Sequence, residues 1–449
     1  MYLKSIAIKN YRKFGENMQK IVFAHSNWDS SIQSSNDESE KELKTEEYIS
    51  KSSSLVVGRN NSGKSTIVRL LNTLQSAKCG SRNTFCYSDF NLNYLRRWYD
   101  ENISNKSEED IKNIGHTSLP FLEFNMVLGI DDENDTISRF EDVLTIGGVE
   151  YNTNEGNIAE VSINIRYEVT DEKKFLEELS RITRITVDLS QLPISLSDSD
   201  SDSDKKPITL DKLRQYCDNN KENKELNNLL AYYNEIVYRN YLNLFGGNFY
   251  ILNFYPDGND EPAKEFSLAN LLKVSIVEAN TVKNSDTLSK AYNKIVNTYI
   301  KNHNISSIGK FIDNINYQLK SIVDNDIKTF LQEAVTSIES NKNIEMNLHP
   351  DITLEKIFGN SIIYEYQENS NYIPEDQFGM GYTNLMVIVA NIVDYIELYS
   401  SDDVNGAVNI LCIEEPETFM HPQMQEIFIK NIAMAIAKLL GKKEELDTF

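Results

Sequence analysis

A chain of 449 residues with 68 acidic against 45 basic side chains, net charge −23, is too acidic to be coated in nucleic acid over its whole surface, leaving only a local basic patch for such a partner. Its 40% hydrophobic content suffices for two or three globular cores at this length. Cys79, Cys86, Cys217 and Cys412 lack metal-ligand spacing and read as reduced thiols, and Met1-Tyr-Leu-Lys-Ser5 is not an apolar signal segment; with no run of transmembrane length, the expectation is a soluble, cytoplasmic protein without a membrane partner.

In chain order, Tyr2 to Lys9 alternates apolar and polar residues and reads as a half-buried strand. Asn10-Tyr-Arg-Lys-Phe14 reads as a turn and Met18 to Phe23 as the returning strand. Residues 24–53 are Ser-rich and acidic, which predicts a solvated loop inserted before the next strand. That strand, Leu55-Val-Val, runs into Gly58-Arg59-Asn60-Asn61-Ser62-Gly63-Lys64-Ser65-Thr66, followed by helix-like Ile67-Val-Arg-Leu-Leu71. The spacing is G-x-x-x-x-G-K-[ST]. Glycines let successive backbone N–H groups face phosphates, and the helix N-terminus adds partial positive charge. Gly58 through Thr66 are therefore the candidate ATP-binding residues. Lys64 would reach the β- and γ-phosphates, and the Ser65 hydroxyl would ligate Mg²⁺.

Residues 78–118 are polar and irregular; their Arg96-Arg97-Trp98 is either a contact for nucleotide or nucleic acid or the basic edge of an exposed helix. Strand-like runs at 121–129 and 161–169 predict an antiparallel β subdomain over 120–190. Leu196 to Lys206 is low-complexity and lacks the Gly and closing Glu that a calcium loop requires. The pattern turns helical from Leu210, with strands at Asn248–Tyr255 and Leu272–Val277, and is helical again over 284–340 except near His303. There Ile308, Ile312, Ile315, Leu319 and Ile322 make an apolar stripe, which suits a helical core or a paired-helix arm that dimerises or touches DNA.

Toward the C-terminus, Gln377-Phe-Gly379-Met-Gly381-Tyr-Thr-Asn384 opens an apolar helix. Gly379, Gly381 and Asn384 are candidates for a second anion-binding nest serving a partner's nucleotide, or for a tight loop packed on the core. Asn409 to Ile413 is a strand run closing on Glu414-Glu415-Pro416-Glu417. Glu414 suits a Mg²⁺ ligand and Glu415 the base that orients and polarises water. His421-Pro422 opens the following helix, and His421 either sits across a dimer interface or caps the turn.

Leu3-Lys-Ser-Ile-Ala-Ile-Lys-Asn-Tyr-Arg-Lys-Phe14, the Gly58–Thr66 loop, Gly379-Met-Gly-Tyr-Thr-Asn384 and Ile413-Glu-Glu-Pro-Glu-Thr-Phe-Met-His-Pro422 occur in this order. Together they resemble the ABC-type ATPase domain of the overcoming-lysogenization-defect (OLD) nucleases and are similar, more broadly, to the RecF and SMC group. The resemblance implies a homodimer or higher oligomer whose heads sandwich two ATP molecules, each glycine nest facing the other subunit's phosphates. It also implies DNA as a partner and a Toprim nuclease, as a further domain or a separate subunit, in bacterial defence against phage; retron-linked and Gabija-type effectors are examples. An ABC head carries one more strand with a switch histidine after the acidic turn, which is expected just past Phe449. Gln75 lies too early for the family's Q-loop glutamine.

The expected fold is α/β: an ABC-type P-loop ATPase head with an antiparallel β subdomain and a helical insertion. Its expected parts are residues 1–190 (N-terminal lobe), 191–207 (acidic linker), 208–345 (helical insertion) and 346–449 (C-terminal lobe). The expected function is the ATPase component of an OLD-like defence nuclease using ATP and Mg²⁺. The alternatives are a RecF/SMC-like DNA-repair clamp and a nucleotide-held scaffold that sequesters an effector.

Overall fold

The computed structural model describes residues 1–25, 38–59, 62–104, 106, 108–115, 119–130, 140, 159–187, 208–256, 258–278, 287–302, 306–323, 327–328, 331, 349–353, 363–368, 370–377, 379–398 and 406–447. In chain order the main elements are β1 (Tyr2–Lys9), β2 (Gln19–Val22), α1 (Glu38–Lys51), α2 (Lys64–Leu74), α3 (Leu92–Asn102), β3 (Leu122–Ile130) and β4 (Ala159–Val169). Then come α4 (Glu172–Thr183), α5 (Leu210–Asn219), α6 (Lys224–Leu242), β5 (Tyr250–Pro256) and β6 (Leu272–Glu278). The last are α7 (Thr287–Asn302), α8 (Ser306–Ile322), β7 (Glu365–Glu368), β8 (Asn371–Pro374), α9 (Met380–Leu398), β9 (Val408–Glu414) and α10 (Pro422–Asp447). The chain divides into two units: Met1–His25, Ser54–Val274 and Asn405–Asn409 form the first, and Ser26–Ser53, Ser275–Val404 and Ile410–Phe449 the second. Among the described residues no helix is long and apolar enough to cross a membrane.

The first unit is built on a five-stranded sheet of order β2-β1-β3-β4-β5, antiparallel throughout. Period-two alternation puts apolar side chains on one face. Register aligns Ile8, Phe124, Ile165 and Phe254 in one row across four strands, and Leu122, Tyr167 and Leu252 in another; all seven are buried. Aromatic rings fill the layer against that face, including Phe85, Phe90, Phe175 and Phe245. The buried Tyr167 and Tyr250 have their hydroxyls bonded to backbone carbonyls, while the Tyr11 hydroxyl has no hydrogen-bond partner among the described residues. Tyr167 donates to the Phe85 carbonyl at 3.0 Å and Tyr250 to that of Pro120 at 3.0 Å. Burial pushes the Tyr167 phenol up to about 12.

The strands expected at 121–129 and 161–169 are present, but they do not stand apart as a subdomain. β3 pairs along the whole of β1, so N-terminal and middle strands share one sheet. On its other face the sheet is polar. Glu123 accepts hydrogen bonds from Arg166 at 2.9 Å, Asn164 at 3.1 Å and Lys9 at 3.4 Å.

Two expectations fail. Leu55-Val-Val joins no strand among the described residues; its side chains are 89%, 45% and 82% exposed. An apolar run becomes a strand only where a partner edge supplies its ladder. The stretch 24–53 is not a loop throughout, because α1 occupies Glu38–Lys51. Its charges sit at helical spacing, with Lys44 bonded to Glu40 at 3.0 Å and Lys51 to Glu47. The low-complexity 196–206 segment lies outside the described residues.

In the second unit an apolar cluster of Val277, Ile388, Ile392, Ile396, Met420 and Phe428 holds α9, α10 and the end of β6 together, with Leu411 and Ile413 of β9 against it. α7 packs on α9, and the buried Asp394 accepts from Lys294 at 2.6 Å and Thr298 at 2.8 Å. The α8 stripe is graded: Ile312 is buried, Ile315 and Leu319 are half-buried, and Ile322 is 51% exposed. β6 and β9 pair as a two-stranded sheet.

Burial pushes the Glu123 carboxyl up, but hydrogen bonds from Asn164 and Arg166 and the positive charge of Arg166 and Lys9 outweigh it and hold it below its ordinary 4.5. A depressed carboxylate contributes stability that is complete above pH 4.5 and lost as pH falls through the lower folded value. Glu123→Gln is expected to flatten the acid limb of the stability curve, measured by urea unfolding from pH 3 to pH 7; an unchanged slope would show that this cluster carries none of the acid sensitivity.

Candidate functional site

The phosphate-loop residues lie in the first unit, at the start of α2. Gly63 holds the N-cap position with φ 105° and ψ 11°, left-handed backbone that glycine adopts without steric cost. A Cβ on Gly58 would sit 2.5 Å from Ser62 Oγ, so the loop closes tightly there. Ser62 N–H donates to the Arg59 carbonyl at 3.1 Å and Thr66 N–H to that of Gly63 at 3.1 Å. The Lys64 ammonium curls back over the loop, donating to the Gly58 carbonyl at 2.7 Å and approaching that of Arg59 at 3.5 Å. Ser65 is exposed, and Ile67, Leu70, Leu71 and Leu74 bury the far side of the helix. Asn60 and Asn61 lie outside the described residues.

Gln75 caps the C-terminal end of α2, and its Oε1 accepts from the Val274 N–H at 3.0 Å. It fixes a helix end. The basic pair on α3 is engaged within the fold: Arg96 lies 4.5 Å from the Tyr238 ring centroid and pairs with Asp100 at 3.3 Å, Arg97 pairs with Glu16, and Trp98 stacks on Tyr241.

In the second unit β9 ends at Glu414, and the chain reverses through two left-handed residues, Glu415 (φ 46°) and Phe419 (φ 63°). Thr418 N–H donates to the Glu415 carbonyl at 3.0 Å and Met420 N–H to that of Glu417 at 3.0 Å. Two side chains clamp the turn from opposite helices. Asn384 of α9, fully buried, donates to the Thr418 carbonyl at 2.7 Å. Gln425 of α10 donates to the carbonyls of Met420 at 2.9 Å and Glu417 at 3.3 Å. His421 precedes Pro422 at the helix start and its carbonyl accepts from Met424 and Gln425 N–H. Burial, and next the Glu414 charge, push the Cys412 thiol up to about 11.

The glycine stretch and the acidic turn therefore come together. α9 begins at Met380, so Gly381 and Asn384 lie inside the helix. A Cβ on Gly381 would sit 2.6 Å from the Phe419 carbonyl oxygen, whereas a Cβ on Gly379 would meet nothing within 4 Å among the described residues. Gly381 thus permits a close approach of helix and turn, and Gly379 leaves open space. Upstream, the buried Glu375 accepts from the N–H groups of Leu288 and Ser289 and from the Ser289 hydroxyl, tying the glycine stretch to the start of α7. Sequence reasoning missed Gln425 and Glu375; a polar residue four positions past His421 and an acid before the glycines are the only traces they leave.

The family described as AAA ATPase domain matches residues 1–439. The chain is 32% identical over 452 residues to an endonuclease, GajA, of Bacillus cereus (strain HuB5-5), an alignment covering 99% of this chain and 56% of that protein. The chain thus spans little more than half the length of that relative.

Asn384→Ala removes the buried donor that satisfies the half-buried Thr418 carbonyl. The expected cost is about 1–3 kcal/mol, read as a lower midpoint in denaturant unfolding; wild-type stability would show that the clamp is dispensable.

Proposed function

The chain belongs to the AAA ATPase domain family, and from that premise we propose that it is the ABC-type ATPase head of an OLD-like defence nuclease, in which nucleotide state gates access to DNA or to the nuclease. The observation that carries the reading is Lys64 turned onto the carbonyl of Gly58 above a left-handed Gly63 at a helix N-terminus. An ammonium held, among the described residues, by loop carbonyls alone is a counter-charge ready for phosphate oxygens, and the glycines leave room that a Cβ would fill.

Lys64 would pair with the terminal phosphates, while the N–H groups opening α2 orient the chain of phosphates. Mg²⁺ usually takes one or two carboxylates or hydroxyls together with substrate phosphates, and when bound it neutralises charge on the phosphate oxygens. The exposed Ser65 hydroxyl and the Glu414 carboxylate are donors of that kind. Glu415, whose left-handed backbone separates its direction from that of Glu414, is assigned the proton of the attacking water. Gly379, open to solvent within its own chain, is assigned to a partner subunit's phosphates in a homodimer; Gly381 and Asn384 support it by holding the acidic turn. The endonuclease name of the relative supports a nuclease partner, a Toprim domain or separate subunit, and DNA as what the assembly acts on.

Lys64→Ala is expected to weaken ATP binding roughly 10- to 100-fold, the size of a lost charge-assisted hydrogen bond or two, by titration calorimetry. Glu415→Gln is expected to keep ATP affinity and lower phosphate release roughly 10²–10⁴-fold. Equal affinity in the first variant or rapid turnover in the second removes the corresponding role.

In Gly379→Arg the new side chain starts from an exposed position whose Cβ meets nothing within 4 Å among the described residues, so the fold and single-chain ATP binding should survive. ATP-dependent dimerisation, followed by light scattering, and turnover should both be lost. Normal hydrolysis by this variant would end the assignment of Gly379 to a partner's nucleotide.

A further inference from the structure

Resting on the reading of Gly58–Thr66 as a phosphate loop, we propose that Lys13 is a further phosphate-contacting residue, reaching the nucleotide from the β1–β2 turn beside the loop. A Cβ built on Gly63 would lie 3.5 Å from Lys13 Cβ and 3.9 Å from its Cγ, so the stem of this lysine runs against the glycine that opens α2. Its ammonium, about 5 Å further along four flexible bonds, has the reach to meet a phosphate held by the loop.

The turn is built to hold it there. Phe14 N–H donates to the Tyr11 carbonyl at 2.8 Å, closing a four-residue turn in which Arg12 takes the left-handed φ of 48°. Left-handed backbone at a non-glycine residue persists only when its surroundings hold it. Asp89 does so twice: its carbonyl accepts from Arg12 N–H at 2.9 Å, and its carboxylate accepts from the Arg12 guanidinium at 3.0 and 2.7 Å. Tyr11 and Phe14, on either side, are buried. Lys13 is the residue of the turn left facing outward.

The charges around it are already committed, and Lys13 is not. Arg12 is bound to Asp89, Arg69 of α2 lies 3.9 Å from the same carboxylate, and Glu16, the nearest acid in sequence, is paired with Arg97. Lys13 is exposed and has no acidic partner among the described residues. In a chain with 68 acidic and 45 basic residues, an unpaired cation placed against a phosphate loop is a charge kept for a ligand.

The test measures ATP affinity by titration calorimetry for the wild type, Lys13→Met, Lys13→Arg and Lys64→Ala, with melting temperatures alongside. Methionine keeps the stem against Gly63 and removes the charge. Lys13→Met is expected to raise the dissociation constant about 10-fold at unchanged melting temperature, and to raise KM while leaving kcat within twofold. Lys13→Arg should stay within about threefold of wild type. If Lys64→Ala weakens binding while Lys13→Met does not, the role of Lys13 is overturned and the phosphate loop stands. Equal losses in the Met and Arg variants would also overturn it, by showing that shape rather than charge matters. Wild-type affinity in Lys64→Ala would bring down the loop reading itself.

Discussion

One buried carboxylate organises the first unit around its loop. Asp89 is 6% exposed, and an ion so far from water must be paired and hydrogen-bonded to be tolerated. It meets that requirement by gathering three segments: the β1–β2 turn through Arg12, α2 through Arg69, and the single 3-10 turn Tyr87–Asp89 that carries it, through the Cys86 N–H at 3.2 Å. Asn91 completes the arrangement, donating its side-chain amide to the Arg12 carbonyl at 2.8 Å and its N–H to the Asn10 carbonyl at 2.7 Å. The helix that carries Lys64 and the turn beside it are thus located by the same charge. Removing that charge would strand an arginine and release a left-handed residue together.

The second unit solves a comparable problem with neutral groups. A reversal through two left-handed residues leaves backbone carbonyls pointing away from any regular ladder, and buried carbonyls need donors. Asn384 and Gln425 supply them from helices on either side, and Gly381 removes the side chain that would hold α9 off the turn. The two carboxylates at the end of β9 therefore stand on a rigid base.

Strands β1, β3 and β4 were legible because apolar residues recur at every second position along much of each, and α2 because a G-K-[ST] corner precedes apolar residues at helical spacing. Strand partnership was not. β1 and β3 are separated by more than a hundred residues, and alternation declares which face is buried without naming the neighbour. The same gap explains Leu55-Val-Val, whose composition suits a strand although no ladder forms on it among the described residues. In α1 composition misled and spacing would have served: an acidic, Ser-rich stretch suggests loop, yet Glu40 with Lys44 and Glu47 with Lys51 are helical pairs. At the site, the glycines were read as an anion-binding nest or a tight loop on the core; the structure shows close approach at Gly381 and open space at Gly379. Which of the two applied, and to what, depended on a turn nearly forty residues later.

Neither unit is a continuous stretch of sequence. The chain passes from one to the other after His25, Ser53, Val274, Val404 and Asn409. A ribosome delivers β1 and β2 early, but the last piece of the first unit emerges only with Asn405–Asn409. Domains that are contiguous can fold one behind another during synthesis; here the first unit is complete only once Asn409 has been made, after most of the second has already been delivered. By the same token, no single cut in the backbone separates the two units, because their segments alternate along the chain.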